Sequence, residues 1–281
     1  MNHNFENSEY ESIIPTAIVT SYPRIFTDIP YEKEIFSKIG EENVKKVFLD
    51  KMLAPELEAR YKLANKLLNI TEIKQVLELA SGYSSRGLYY SKRGYTYVEM
   101  DLPFMVEEKR RILKEMLENS SSLHLISGNA LQEKDYKQVI PYFNKNQELV
   151  IINEGLLRYL TFEEKKIVAE NIYQTLSTFG GYWITCDVTP KKFIEHQNSN
   201  LPTLNNNLNG ITSRNNLNER FEDINHVREF FSDIGFKDIE IHRFSEVRDE
   251  LFSPSILGLN DSEFLLKEAI VAVMRVDKKN E

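Results

Sequence analysis

Four stretches of the chain place groups able to hold a small polar ligand just beyond short apolar runs. Glu99 and Asp101 close the run from Tyr95 and precede Leu102-Pro103. A carboxylate has two oxygen acceptors and a ribose offers two hydroxyl donors, so an acid here can hold a ribose. Asp101 can equally cap the helix that follows. Ser127-Gly128-Asn129-Ala130 brings an amide that can meet an adenine edge, or simply turn the chain. Asn153-Glu154-Gly155-Leu156-Leu157-Arg158-Tyr159-Leu160 ends an apolar run on a carboxylate, which needs a partner there, protein or ligand. From Glu78 to Gly87, small residues at Ala80, Ser81, Gly82, Ser84 and Ser85 let backbone approach a ligand closely or make a tight turn. Only Gly82 begins the spacing of a dinucleotide fingerprint, which disfavours a pyrophosphate cofactor.

The elements that must carry these groups are legible from periodicity. Val76–Ala80, Tyr95–Met100, Leu123–Ile126, Leu149–Asn153 and Tyr182–Val188 read as strands. Between them lie helical patterns at Arg86–Lys92 and at Pro103–Asn119, the latter with proline at its first position. Thr161 and Glu164 fit a capping box that opens a helix running to about Thr178, before Gly180-Gly181. Phe221–Ile234 reads as a helix, and Ile239–His242 and Ala269–Val276 as a closing pair of strands. Such alternation predicts an α/β fold with a doubly wound, mainly parallel sheet, whose ligands lie beyond the carboxyl ends of its strands. Upstream, Pro30 to Asn69 is helical in pattern and divided by Pro55, and is expected to form an N-terminal helical cap. The expected organisation is a flexible tail at 1–14, a cap at 15–70 and a ligand-binding catalytic domain at 71–281 with a loop insertion at 190–220. Within that insertion, His196–Asn218 is rich in asparagine and reads as a long loop, a lid or an unstructured segment.

Composition narrows the function. The chain has 281 residues, 41% of them hydrophobic and 28% charged, as expected for a globular protein. Its single cysteine, Cys186, excludes an intrachain disulfide framework, and five scattered histidines give no zinc spacing. Basic residues number 35 against 43 acidic, a net charge of -8 without a basic footprint, so nucleic acid is not the expected partner. The start has no secretory signal pattern and no apolar run reaches membrane-spanning length, so a cytoplasmic protein without a membrane partner is expected.

Taken in order, the stretches resemble the leucine carboxyl methyltransferase family of S-adenosylmethionine-dependent enzymes, including its polyketide (tetracenomycin-type) O-methyltransferase branch. The similar pieces are Thr16-Ala17 with Arg24, Asp28-Ile29-Pro30-Tyr31, Glu56 to Tyr61, Leu79 to Gly82, Val98 to Pro103 and Glu154 to Leu160. They span roughly residues 15 to 190. The resemblance implies a seven-stranded, Rossmann-like class I methyltransferase sheet and S-adenosylmethionine as cofactor. It also implies that Gly82 lies against the cofactor's amino-acid end and that Asp101, with Glu99 beside it, holds the ribose. Asn129 and Ala130 would flank adenine, Glu154 would meet the methionine moiety, and Arg60 would reach its carboxylate from the cap. Arg24 would face the same pocket. The chain departs from the family pattern at Ala80, Ser84 and Asn129, where glycine, aspartate and aspartate are usual.

The expected reaction is O-methyl transfer to a carboxylate or hydroxyl of a small molecule. A carboxylate acceptor is ionised at neutral pH and needs no base; Arg24, Arg158 or another cation could orient it. A hydroxyl acceptor would be helped by Tyr159 or Glu154 as base. The competing readings are a methyltransferase-fold binding protein without catalysis, an NAD-type or nucleotide-sugar enzyme, and a nucleic-acid methyltransferase. The missing dinucleotide fingerprint opposes the NAD-type or nucleotide-sugar reading, and the acidic charge balance opposes the nucleic-acid reading.

Overall fold

The computed structural model describes residues 13–117, 122–192, 219–259 and 269–279. Seven strands form one sheet: β1 (Gln75–Leu79), β2 (Thr96–Asp101), β3 (Leu123–Ser127), β4 (Leu149–Asn153), β5 (Gly181–Thr185), β6 (Asp238–Arg243) and β7 (Ile270–Val276). Their order is β3-β2-β1-β4-β5-β7-β6. The first five run parallel, while β7 is antiparallel to both of its neighbours, β5 and β6. Strands β1 and β4 are buried along their whole length, the reading expected of parallel strands covered on both faces.

Ten helices flank the sheet among the described residues: α1 (Ile13–Arg24), α2 (Glu32–Ser37), α3 (Glu41–Val44), α4 (Ala54–Thr71), α5 (Arg86–Ser91), α6 (Pro103–Leu113), α7 (Glu133–Val139), α8 (Phe162–Phe179), α9 (Ile224–Ile234) and α10 (Ser253–Leu257). One face packs Ile18, Ile35, Leu63, Leu67 and Leu88 from α1, α2, α4 and α5 against Val76, Tyr97, Val150 and Ile184. The other packs Tyr136, Val168, Ile172 and Phe231 from α7, α8 and α9 against Leu77, Val98, Ile151 and Trp183. The N-terminal helices therefore form a layer over one sheet face as well as a cap at the strand ends.

Several boundaries differ from the sequence expectation for identifiable reasons. Strand β5 stops at Thr185 rather than Val188, because Asp187 turns to bind the loop after β4. Helix α9 starts at Ile224, since the Asp223 side chain accepts from His226 N at 2.9 Å and caps it there. Helix α6 ends at Leu113, earlier than expected. Pro55 sits in the first turn of α4, where its missing N–H costs nothing. The capping box at Thr161 and Glu164 is present with both of its hydrogen bonds. Helices α7 and α10 and the 3-10 segment Phe244–Glu250 were not anticipated, and α1 falls largely within the expected cap at 15–70 although the helical pattern is legible only from Pro30. Of the expected tail at 1–14, residues 1–12 lie outside the described residues, while Ile13 and Ile14 open α1; the Asn-rich loop His196–Asn218 lies outside the described residues. No helix among those described is long and apolar enough to cross a membrane.

Candidate active site

Strand order reverses between β1 and β4, so the carboxyl ends of these strands and of β2 and β5 frame the crevice where such sheets take ligands. Five of the anticipated groups lie at the carboxyl ends of β1 to β4: Asp101 is the last residue of β2, and Gly82, Asn129, Ala130 and Glu154 lie on the turns that leave β1, β3 and β4. The turn after β1 is tied to the end of β2, since Asp101 accepts from Gly82 N at 2.8 Å and from Leu102 N at 2.7 Å. Each carboxylate oxygen of Asp101 thus retains acceptor capacity. Burial raises its pKa, against the pull of the two backbone donors. Ala80 is held at φ 53°, a left-handed conformation that is costly for any residue with a Cβ.

Glu99 lies two residues earlier on the same strand and so on the same face of the sheet, but deeper along it. Its carboxylate is pinned by Lys109 of α6 and accepts from Ser81 Oγ at 2.7 Å. A Cβ on Gly87 of α5 would stand 2.9 Å from the Glu99 Cδ, so this carboxylate is pressed against the helix backbone. Glu99 therefore braces the loop from beneath, and Asp101 is the acid of the pair nearer the strand tips. Asn129 makes an Asx turn, accepting from Leu131 N at 2.9 Å while its own N–H donates to Asp135. Its side-chain N–H groups are not consumed by that turn. Ala130 turns its carbonyl inward, where it accepts from Tyr136 and Asn171.

At the β1/β4 switch stands a buried chain of charges. Glu154 accepts from Arg24 on one oxygen and from Arg86, at 2.7 Å, on the other. Arg86 also grips Glu78 in the middle of β1, and its guanidinium lies 4.6 Å from the centre of the Tyr61 ring. Arg24 faces Glu32 at 3.9 Å, and Glu32 accepts from Ser85 N at 2.9 Å, so the cap is latched to the turn after β1. Arg60 of α4 pairs with Glu56 at 2.8 Å and lies close enough to Glu154 and Asp187 for both to raise its pKa. Burial alone would raise the Glu154 pKa, but Arg24, Arg86 and Arg60 overcome it and hold the group at about 2.

The loop after β4 is organised by Asp187. Its carboxylate accepts from Asn153 Nδ2, Gly155 N, Leu156 N and Leu157 N, at 2.7 to 3.0 Å. Tyr159 and Arg158 follow, both half-buried, with the Arg158 guanidinium 5.8 Å from the Tyr159 ring centre. Buried Arg220 joins them from the segment before α9. Burial and the like charge of Arg158 lower its pKa to about 9. Arg24, anticipated as a candidate catalytic group, is 6% exposed and engaged by Glu154, so it belongs to the charge cluster.

Sequence reading did not single out Glu32, Glu78, Lys109, Asp187 or Arg220. Glu78 had a readable sign: a carboxylate inside an otherwise apolar strand must be paired when buried. The side chains present suit an S-adenosyl donor in chemical type. Its amino-acid end is a zwitterion and needs cationic donors beside an acidic acceptor. Arg24, Arg60 and Glu154 supply both, and Nε of Arg24, Nε of Arg60 and Oε2 of Glu32 are buried without hydrogen-bond partners.

A seven-stranded, doubly wound sheet with an antiparallel β7 between β5 and β6, and polar groups at the β1/β4 switch, is the S-adenosylmethionine-dependent methyltransferase fold. The chain belongs to the leucine carboxyl methyltransferase family, whose sequence model matches residues 32–173. No curated protein matches it. Among solved structures, it is similar to a candidate O-methyltransferase of Nostoc punctiforme, with 15% identity over 89% of this chain and 61% of that one (TM-score 0.51). It is similar to PigF, solved with SAH, with 13% identity over 93% of this chain and 62% of that one (TM-score 0.51). The CurJ carbon methyltransferase is similar at 11% identity over 96% of this chain and 69% of that one (TM-score 0.54). The chain spans about three-fifths of the length of the first two. Oxygen and carbon methyltransferases both occur among these neighbours, so the fold does not select the acceptor atom.

Proposed function

We propose that the chain binds S-adenosylmethionine across the tips of β1 to β4 and transfers its methyl group to an oxygen of a small molecule, a carboxylate or a hydroxyl. The observation that carries this reading is the Arg24–Glu154–Arg86 cluster at the strand-order switch, with Arg60 beside it. Glu154 takes the donor's ammonium and Arg60 and Arg24 its carboxylate. Asp101 accepts from the ribose hydroxyls, and the turn at Asn129-Ala130 lies against the adenine. The bound donor supplies an electrophilic methyl on a sulfonium whose charge vanishes on transfer, so the protein's task is mainly alignment.

Of the two acceptor classes, the carboxylate fits the site better. Glu154, held at about 2, is too weak a base to deprotonate an alcohol at neutral pH. Arg158 and Arg220 beside Tyr159 offer cations that can orient a carboxylate without any proton transfer. The net charge of -8 supports a small-molecule acceptor over a nucleic acid. One observation favours the second reading, a protein that binds the donor without transferring methyl: Arg24 belongs to the donor-binding cluster with Glu154, leaving Tyr159 alone of the two anticipated catalytic groups.

Calorimetry with S-adenosylmethionine, S-adenosylhomocysteine and NAD tests the binding step, and mass spectrometry of products from carboxylic acid and phenol panels tests the transfer. Saturable binding of the two S-adenosyl compounds but not NAD, with methyl ester products, is expected. No binding of either S-adenosyl compound would sink the proposal. Binding with no product from any acceptor would select the second reading.

A further inference from the structure

We propose that Asp187, beyond the end of β5, is a positioning residue that sets Glu154 for the donor's amino-acid end. This rests on the methyl-donor reading above. Asp187 is 5% exposed and its carboxylate collects four N–H groups. Oδ2 accepts from Asn153 Nδ2 at 2.7 Å, Leu156 N at 2.7 Å and Leu157 N at 3.0 Å, and Oδ1 accepts from Gly155 N at 2.8 Å. The three consecutive backbone donors converge because Gly155 adopts φ 88°, while Leu156 returns to the right-handed helical region. Such a turn makes a concavity for an anion, and here a side chain of the same chain fills it.

The arrangement is anchored in the core. Fully buried Trp183 donates from Nε1 to Asn153 Oδ1 at 2.7 Å, and Asn153 passes its own amide to Asp187. Glu154 is the residue between Asn153 and Gly155, so both of its neighbours are tied to one carboxylate. The two guanidinium groups then fix its side chain. Backbone and side chain of Glu154 are held by separate sets of bonds, and Asp187 controls the first.

In Asp187→Asn an amide NH2 replaces one acceptor oxygen. Either orientation sets donors against donors, so the turn must open and carry Glu154 with it. Gly155→Ala perturbs the same turn without touching Asp187. A Cβ there meets no heavy atom within 4 Å, so the strain is purely that of the left-handed backbone.

The test compares two ligands by calorimetry. S-adenosylhomocysteine carries the amino-acid end, whereas 5′-methylthioadenosine keeps the nucleoside and sulfur without it. Asp187→Asn is expected to weaken S-adenosylhomocysteine about tenfold or more and methylthioadenosine less than about threefold. Gly155→Ala is expected to show the same selectivity more weakly, and it carries the test if Asp187→Asn does not fold. Equal losses for both ligands, or no loss for either, would overturn the proposal, since a merely structural role has no reason to spare the truncated ligand. Wild-type protein that binds neither ligand would overturn the donor reading itself, a result visible before any variant is made.

Discussion

Replacing Glu154 by glutamine removes one charge from the middle of a buried cluster. Glu154 holds Arg24 on one oxygen and Arg86 on the other, and Arg60 adds a third favourable interaction. A pKa held at about 2, against an ordinary 4.5, corresponds to about 3 kcal/mol of preference for the ionised form in the folded chain. An independent route gives the same scale. Removing one partner from a buried ion pair costs about 3–5 kcal/mol, and the low end applies because Arg86 keeps Glu78 and Arg24 keeps Glu32. The sign with pH follows from the depressed value. The contribution is present above the unfolded pKa, near 4.5, and is lost as pH falls toward about 2. Urea unfolding of wild type and Glu154→Gln should therefore differ by about 3 kcal/mol at neutral pH and by about 1 kcal/mol at about pH 3. The shrinking gap isolates Glu154 from the other acids, which both proteins share. A gap that stays constant across this range, or one below about 1 kcal/mol at neutral pH, would refute the reasoning.

Other substitutions probe other parts of the site. Asp101→Ala should weaken S-adenosylmethionine binding by about 1–3 kcal/mol in calorimetry, and unchanged affinity would remove Asp101 from the ribose. Gly87→Ala drives a methyl into the Glu99 carboxylate that Lys109 holds in place, and should destabilise by about 1–3 kcal/mol at an unchanged urea m value. Thr161→Ala deletes half of the α8 capping box and should cost about 1 kcal/mol, read from the same urea midpoint.

What could be read in the sequence followed local physics. The Leu149–Asn153 run became β4 with those bounds, because a fully buried parallel strand needs an unbroken apolar stretch. The Thr161–Glu164 box needs only residues three apart, and it is present. Helix α7 (Glu133–Val139) was missed because Glu, Lys, Asp and Gln dominate it and its buried side chains are only Tyr136 and Val139. In α1, Pro23 interrupts the helical pattern just before Arg24, and the acceptor of that arginine is distant in sequence. The site divides along the same line. Turns after strands could be located from strand ends, which is how Asp101 and Glu154 were found. Their partners could not: Arg86 meets Glu154, Lys109 meets Glu99 and Asp187 meets Gly155 only once the sheet has set strands and helices side by side. Glu99 and Asp101 looked interchangeable by spacing, and the pairing of Glu99 with Lys109 and Ser81 and the approach of Gly87 separate it from Asp101.

The seventh strand follows β6 along the chain yet is inserted between β5 and β6. Thr185 and Ile241 both face Ala272 across it, so two ladders depend on one late segment. While the polypeptide is being synthesised, β6 therefore emerges with no neighbour to pair with and must wait for β7. Contacts joined over so long a stretch of chain are slow to form. Assembly of the half of the sheet that bears Asp187 is thus expected to be the last act of folding, after the half built from β1, β2 and β3 has already taken shape.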